Sequence, residues 1–134
     1  MEIKVFDTSK ELGKAAAVFS AQVLNRAIAE KGKARLLMST GASQFDTIEA
    51  LRDADVEWDK VEMFHLDEYI GLPETHPASF RKYLKERFLS YVDIRKAHLV
   101  NPDNGAEPAL ELLTREVRAG EIDLGLIGIG ENAH

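Results

Sequence analysis

A chain of 134 residues, 45% hydrophobic and 30% charged, has the composition of one globular domain with a real core and is too short for two. A formal net charge of −6 and an isoelectric point near 5.2 argue against a nucleic-acid or anionic-membrane surface, because an acidic field repels phosphates, so any phosphate must be captured locally. The chain has no cysteine, hence no disulfide, thiolate nucleophile or Cys-based metal site, and no long apolar run or secretory apolar region in Met1 to Lys10; a cytoplasmic location is the expectation.

Ile3 to Phe6 is a short apolar piece, and Thr8 with Glu11 forms a capping-box pattern that starts a helix. Leu12, Ala16, Phe19, Val23 and Ala27 recur at helical spacing, and Gly32 stops the run. Ala34 to Met38 reads as a short buried strand. It runs into Ser39, Thr40, Gly41, Ala42 and Ser43 before a second helix containing Phe45, Ile48 and Leu51. A small-residue loop between strand and helix is where free backbone N–H groups and the helix dipole hold an anion. This loop lacks the glycines and lysine of a P-loop, so a plain strand-to-helix turn is an equal alternative.

After Trp58 to Lys60, the strand Val61 to His65 passes through Leu66 into Asp67 and Glu68, within FHLDEYIGLP. Adjacent like charges bring no structural gain, and partial burial raises a carboxyl pKa so that it holds or accepts a proton near neutral pH. A helix N-cap or a solvated loop is the bland and commoner meaning of such a pair. His76, Pro77 and Ser79 precede a helix with the apolar face Phe80, Leu84, Phe88 and Tyr91, so the loop from Asp67 to His76 is anchored at both ends and free to move as a lid, with Tyr69 packing against it. Asn101 to Gly105 is a turn, and Pro108 to Val117 is a helix ending near Gly120. Ile122 to Ile129 is a near-continuous apolar strand, as in a sheet covered on both faces, and it empties into GIGENAH.

Strands alternating with helices imply a doubly wound α/β fold with a Rossmann-like, mostly parallel sheet and helices on both faces. Ligands in such sheets sit at the carboxyl ends of the strands. Three polar loops emerge there, which predicts a small-molecule pocket with an anion at Thr40 to Ser43 and proton-transfer groups at Asp67 and His134. His65, His76 and His98 lack metal-ligand spacing, so no metal is expected, and no GxGxxG follows the last strand to suggest a dinucleotide.

STGAS after the second strand, FHLDEYIGLP followed by HPASF, and GIGENAH after the last strand together resemble the glucosamine-6-phosphate deaminase/isomerase family over the whole chain. The resemblance implies conversion of glucosamine 6-phosphate and water to fructose 6-phosphate and ammonia, with no metal or redox cofactor. It implies Asp67 as the base that moves a proton between C2 and C1 of the open-chain sugar. It further implies His134 as the group assisting ring opening, and Thr40, Gly41, Ala42 and Ser43 as phosphate contacts. Asn132 stands where the family usually has the Asp partner of that histidine, so the ring-opening pair is altered. Glu68 is grouped with the substrate pocket as a supporting or structural acid. Family members continue past the position of His134, so a second polypeptide segment or a homo-oligomer is expected to complete sheet and site. Two alternatives remain: a 6-phosphogluconolactonase-like hydrolase, whose members tend to carry Arg where Tyr69 stands, and a non-catalytic sugar-phosphate-binding fragment.

Overall fold

In the computed structural model, which describes residues 1–134, Thr8 caps the first helix as its spacing with Glu11 predicts. Its hydroxyl accepts the Glu11 N–H at 3.2 Å, and α1 runs Ser9–Lys31. The buried face of α1 is Gly13, Ala17, Ser20, Leu24, Ala27 and Ile28, rotated from the stripe headed by Leu12 and Phe19, which are 43% and 58% exposed. Small residues cause the rotation. A Cβ on Gly13 would lie 2.6 Å from the Asp46 carbonyl carbon, so α1 meets α2 (Phe45–Arg52) backbone to backbone, a contact the larger residues could not make. No helix is long and apolar enough to cross a membrane.

Four parallel strands, β1 (Ala34–Met38), β2 (Val61–His65), β3 (Lys96–His98) and β4 (Leu124–Leu126), form one sheet in the order β3-β2-β1-β4. Each neighbour is parallel: Met38 lies level with His65 and with Leu126, and Phe64 with His98. The short strand β3 was not legible, since Lys-Ala-His carries no apolar alternation. β4 is shorter than the apolar run Ile122 to Ile129 and is not covered on both faces. It lies at the sheet edge, paired to β1 alone, and Ile127 and Ile129 beyond it are 59% and 73% exposed.

One face of the sheet carries the main core, where Leu36, Met38, Val61 and Met63 pack with α1, α2 and the next helical segment. That segment begins as α3 (Phe80–Leu84) and continues as a π-helical turn, Lys85–Leu89, which keeps Leu84 and Phe88 both buried. The alternate side chains of β1 and β2 face α4 (Ala106–Arg118). There the Arg35 guanidinium lies 4.4 Å over the Phe64 ring, which stacks on His98 at 4.4 Å. Arg35 also donates to the carbonyls of Glu116, Val117 and Gly120, a cation at the negative end of α4. The strand order reverses between β1 and β4, so the loops after β1, β2 and β4 all open at one carboxyl edge around the switch point.

Candidate functional site

Ser39, the first residue beyond β1, stitches two of these loops together. Its hydroxyl donates to the Leu126 carbonyl at 3.2 Å and accepts the Gly128 N–H at 3.0 Å, while the buried Gln44 amide donates to it in turn. A Cβ on Gly128 would fall 2.9 Å from Gln44 Nε2 and 3.1 Å from Ser43 Oγ, so the close approach requires glycine. Gly41 has φ 129°, a backbone conformation disfavoured for L side chains, and its carbonyl accepts the Tyr83 hydroxyl at 2.9 Å. Burial pushes the Tyr83 pKa up to about 12, so the phenol stays a donor. The loop then enters a short 3-10 turn, Ala42–Gln44, and α2; Ala42 and Ser43 are exposed at the start of this helical run, where its dipole favours an anion.

Asp67 and Glu68 leave β2 together and part at once. The Glu68 side chain has no exposed surface, and its carboxylate accepts five hydrogen bonds. Oε1 takes the N–H groups of Tyr69 and Phe80, each at 3.0 Å, and Oε2 takes the Ser79 hydroxyl at 2.8 Å with the Arg81 N–H and Nε at 2.9 and 3.1 Å. Burial alone would raise its pKa. The backbone N–H groups of Arg81, Phe80 and Tyr69 and the Ser79 hydroxyl outweigh burial and bring it to about 2. Glu68, grouped with the substrate pocket from the sequence, lines the cavity beside Asp67, but both its carboxylate oxygens are engaged by Tyr69 and by the start of α3.

Asp67 is exposed at the edge of a cavity of ≈ 160 Å³ between its loop and α4, lined by Leu66, Ile70, Val100, Pro102 and Leu110 among others. Partial desolvation and then the Glu68 charge raise its pKa, against a smaller opposing effect of His134. His134 comes near because the chain turns back. The Gly130 N–H donates to the His134 carbonyl at 2.6 Å, the Ala133 N–H donates to the Gly130 carbonyl at 2.9 Å, and Ala133 takes a left-handed φ of 62°. Asn132 lies exposed inside this turn. Thr40 to Ser43, Asp67 and His134 thus occupy one carboxyl edge, with the first loop knit to the third.

Sequence reasoning missed Arg81, which is 1% exposed. Besides Glu68, its guanidinium donates twice to Asp103 at 3.0 Å, to Asn101 at 2.7 Å and to the Leu72 carbonyl at 3.3 Å. With Lys85 paired to Glu74 and Tyr69 packed on Phe80 at 4.9 Å, the loop from Asp67 to His76 is tied along its length, not only at its ends. No group of three or more His, Asp or Glu side chains is arranged to hold a metal ion.

The sequence model of the glucosamine-6-phosphate isomerases/6-phosphogluconolactonase family matches residues 7–134. A glucosamine-6-phosphate deaminase of Cellvibrio japonicus is 38% identical over 92% of this chain and 51% of its own length, and one of Bacillus pumilus is 34% identical over 100% and 57%. A solved monomeric glucosamine-6-phosphate deaminase superposes with TM-score 0.86 and 26% identity over all of this chain and 57% of its own. A 6-phosphogluconolactonase of Thermotoga maritima has TM-score 0.82 at 22% identity, over 91% of this chain and 57% of its own, and shares the fold. The chain spans about half the length of the curated relatives it matches. By sequence and by fold, this chain belongs to the glucosamine-6-phosphate isomerase/6-phosphogluconolactonase family.

Proposed function

We propose that this chain carries the proton-transfer half of a cytoplasmic glucosamine-6-phosphate deaminase site. The observation that carries the reading is Asp67: a partly shielded carboxyl with a raised pKa, at the end of a central strand, beside His134 and on the same edge as the loop Thr40 to Ser43. In the proposed reaction the sugar phosphate is held at Thr40, Gly41, Ala42 and Ser43. His134, with Asn132 in its turn, moves a proton to the ring oxygen as the pyranose opens. Asp67 then takes the proton from C2 of the open-chain aldose and returns it to C1, leaving an imine at C2. Water adds to that carbon, the C–N bond breaks, and ammonia and fructose 6-phosphate depart. Proton transfer by a placed carboxylate contributes typically about two to four orders of magnitude in rate, which is what Asp67 is asked to supply.

Completion of the site by a further chain segment, or by a second copy, belongs to the same proposal. It is supported by the unpaired outer edge of β4 and by the length of the relatives. The test sets ammonia release from glucosamine 6-phosphate beside hydrolysis of 6-phosphogluconolactone, with all co-purifying chains present. Ammonia release supports the deaminase; lactone hydrolysis alone replaces it with the lactonase; hexose-phosphate binding with neither product marks a binding fragment.

A further inference from the structure

Glu68 and Arg81 form a buried ion pair immediately after the candidate base in the chain. Arg81 clasps three separate segments. It holds Glu68 and the Leu72 carbonyl of the Asp67 loop, sits on the first turn of α3, and grips Asn101 and Asp103 in the connection from β3 to α4. Asn101 in turn accepts the Asp103 N–H at 3.0 Å, so the receiving turn is itself braced. Val100 and Pro102, within that connection, line the cavity beside Asp67. The guanidinium therefore ties the far wall of the cavity to the peptide that carries Asp67.

Such a construction costs desolvation of both ions, and a buried pair is seldom the cheapest way to stabilise a fold. Here every acceptor direction of Glu68 is filled, which removes the penalty of an unpaired charge and leaves a carboxylate that can neither turn nor take up a proton near neutral pH.

We propose that Glu68 and Arg81 are a positioning pair for Asp67: the ion pair fixes the backbone from which Asp67 projects, and Glu68 keeps a constant negative charge beside it. The proposal rests on the reading of Asp67 as the proton-transfer group. The charged and titratable groups facing the trio are His134 at Asp67, and His65, Asp103 and Arg81 around Glu68, with Glu74 on the outer side of Arg81. His65 is held neutral at neutral pH, its pKa brought down to about 4 by burial.

The experiment is a carboxyl-carbon NMR titration of the full chain carrying labelled aspartate and glutamate, with kinetics of Glu68→Gln alongside. In the unaltered protein Glu68 stays ionised well below the ordinary glutamate range while Asp67 titrates above the ordinary aspartate range. In Glu68→Gln the Asp67 midpoint falls, the acid limb of the rate profile moves to lower pH with it, and kcat drops roughly tenfold or more while KM changes far less. Ordinary titration of Glu68 in the unaltered protein overturns the proposal, and this reading does not depend on the variant folding. An unmoved Asp67 midpoint or an unchanged kcat in a folded Glu68→Gln overturns it as well. Failure of the underlying assignment has a different signature: full turnover in Asp67→Asn, whatever the Glu68 titration shows.

Discussion

His65 is fully buried at the end of β2, and neither ring nitrogen meets a hydrogen-bond partner in the protein. Burial brings its pKa down from 6.5 to about 4, with Glu68 and Arg81 opposing one another in smaller measure. Because the folded state keeps the ring neutral, the unfolded chain binds the extra proton as pH falls below 6.5, and stability is lost from there down to about 4. Between pH 7 and 5 this amounts to about 2 kcal/mol. Glu68 has the complementary behaviour: its contribution is complete above 4.5 and is lost as pH falls toward about 2. Urea denaturation should thus show a lower midpoint at pH 5 than at pH 7, and His65→Leu should flatten that slope at little cost at pH 7, since it removes two unpaired buried nitrogens. A slope unchanged in the variant would contradict the assignment. At this scale the sequence separates the two acids, Asp67 as base and Glu68 as a supporting or structural acid, but not the contacts that hold Glu68. Only the fold brings Arg81, thirteen residues on, and the start of α3 back onto Glu68, and neither signals that in its local pattern.

At the scale of elements, small residues decide where helices sit. Gly13 lets α1 touch the α2 backbone at Asp46 and Thr47, where a Cβ would find atoms at 2.6 to 2.8 Å. Gly13→Ala gains about 1 kcal/mol of helix propensity but forces the helices apart at an overpacking cost of about 1–3 kcal/mol. Since the obstructing atoms are backbone, the cost wins, and thermal denaturation should show a lower Tm for the variant; an increase would mean that the helices yield freely. Periodicity located α1 and its ends, through Thr8 and Gly32, but the buried face is rotated from the stripe it marked: Val23 and Ala27 meet the core while Leu12 and Phe19 stay exposed, because periodicity counts apolar residues and is blind to close approach. The helix from Pro108 to Val117 was readable from its pattern and appears as Ala106–Arg118. β3 was not readable, because its three residues gain their pairing from β2 and not from their own apolar character.

For the whole molecule, the notable feature is what stays uncovered. Leu12 and Phe19 face outward on α1, Ile127 and Ile129 stand free beyond β4, and the outer edge of β4 offers unpaired backbone groups. An exposed apolar strand edge invites pairing with another strand. Light scattering coupled to size-exclusion chromatography should therefore find the chain self-associated or bound to a second polypeptide, whereas a clean monomer with nothing bound would contradict the proposed completion. The apolar run from Ile122 was legible in the sequence; that it forms an edge was not, because strand order is a property of the assembled sheet.

Asp67 joins the three scales, as one carboxyl placed by a strand end on an edge that other loops complete. Ammonia release from glucosamine 6-phosphate, compared between the unaltered protein and Asp67→Asn with every co-purifying chain present, decides its role. The unaltered protein should turn over, and the variant should be slower by about two to four orders of magnitude while still binding the sugar phosphate in calorimetry. Near-equal turnover by Asp67→Asn, or no ammonia from the unaltered protein, would contradict the assignment of Asp67 as the base.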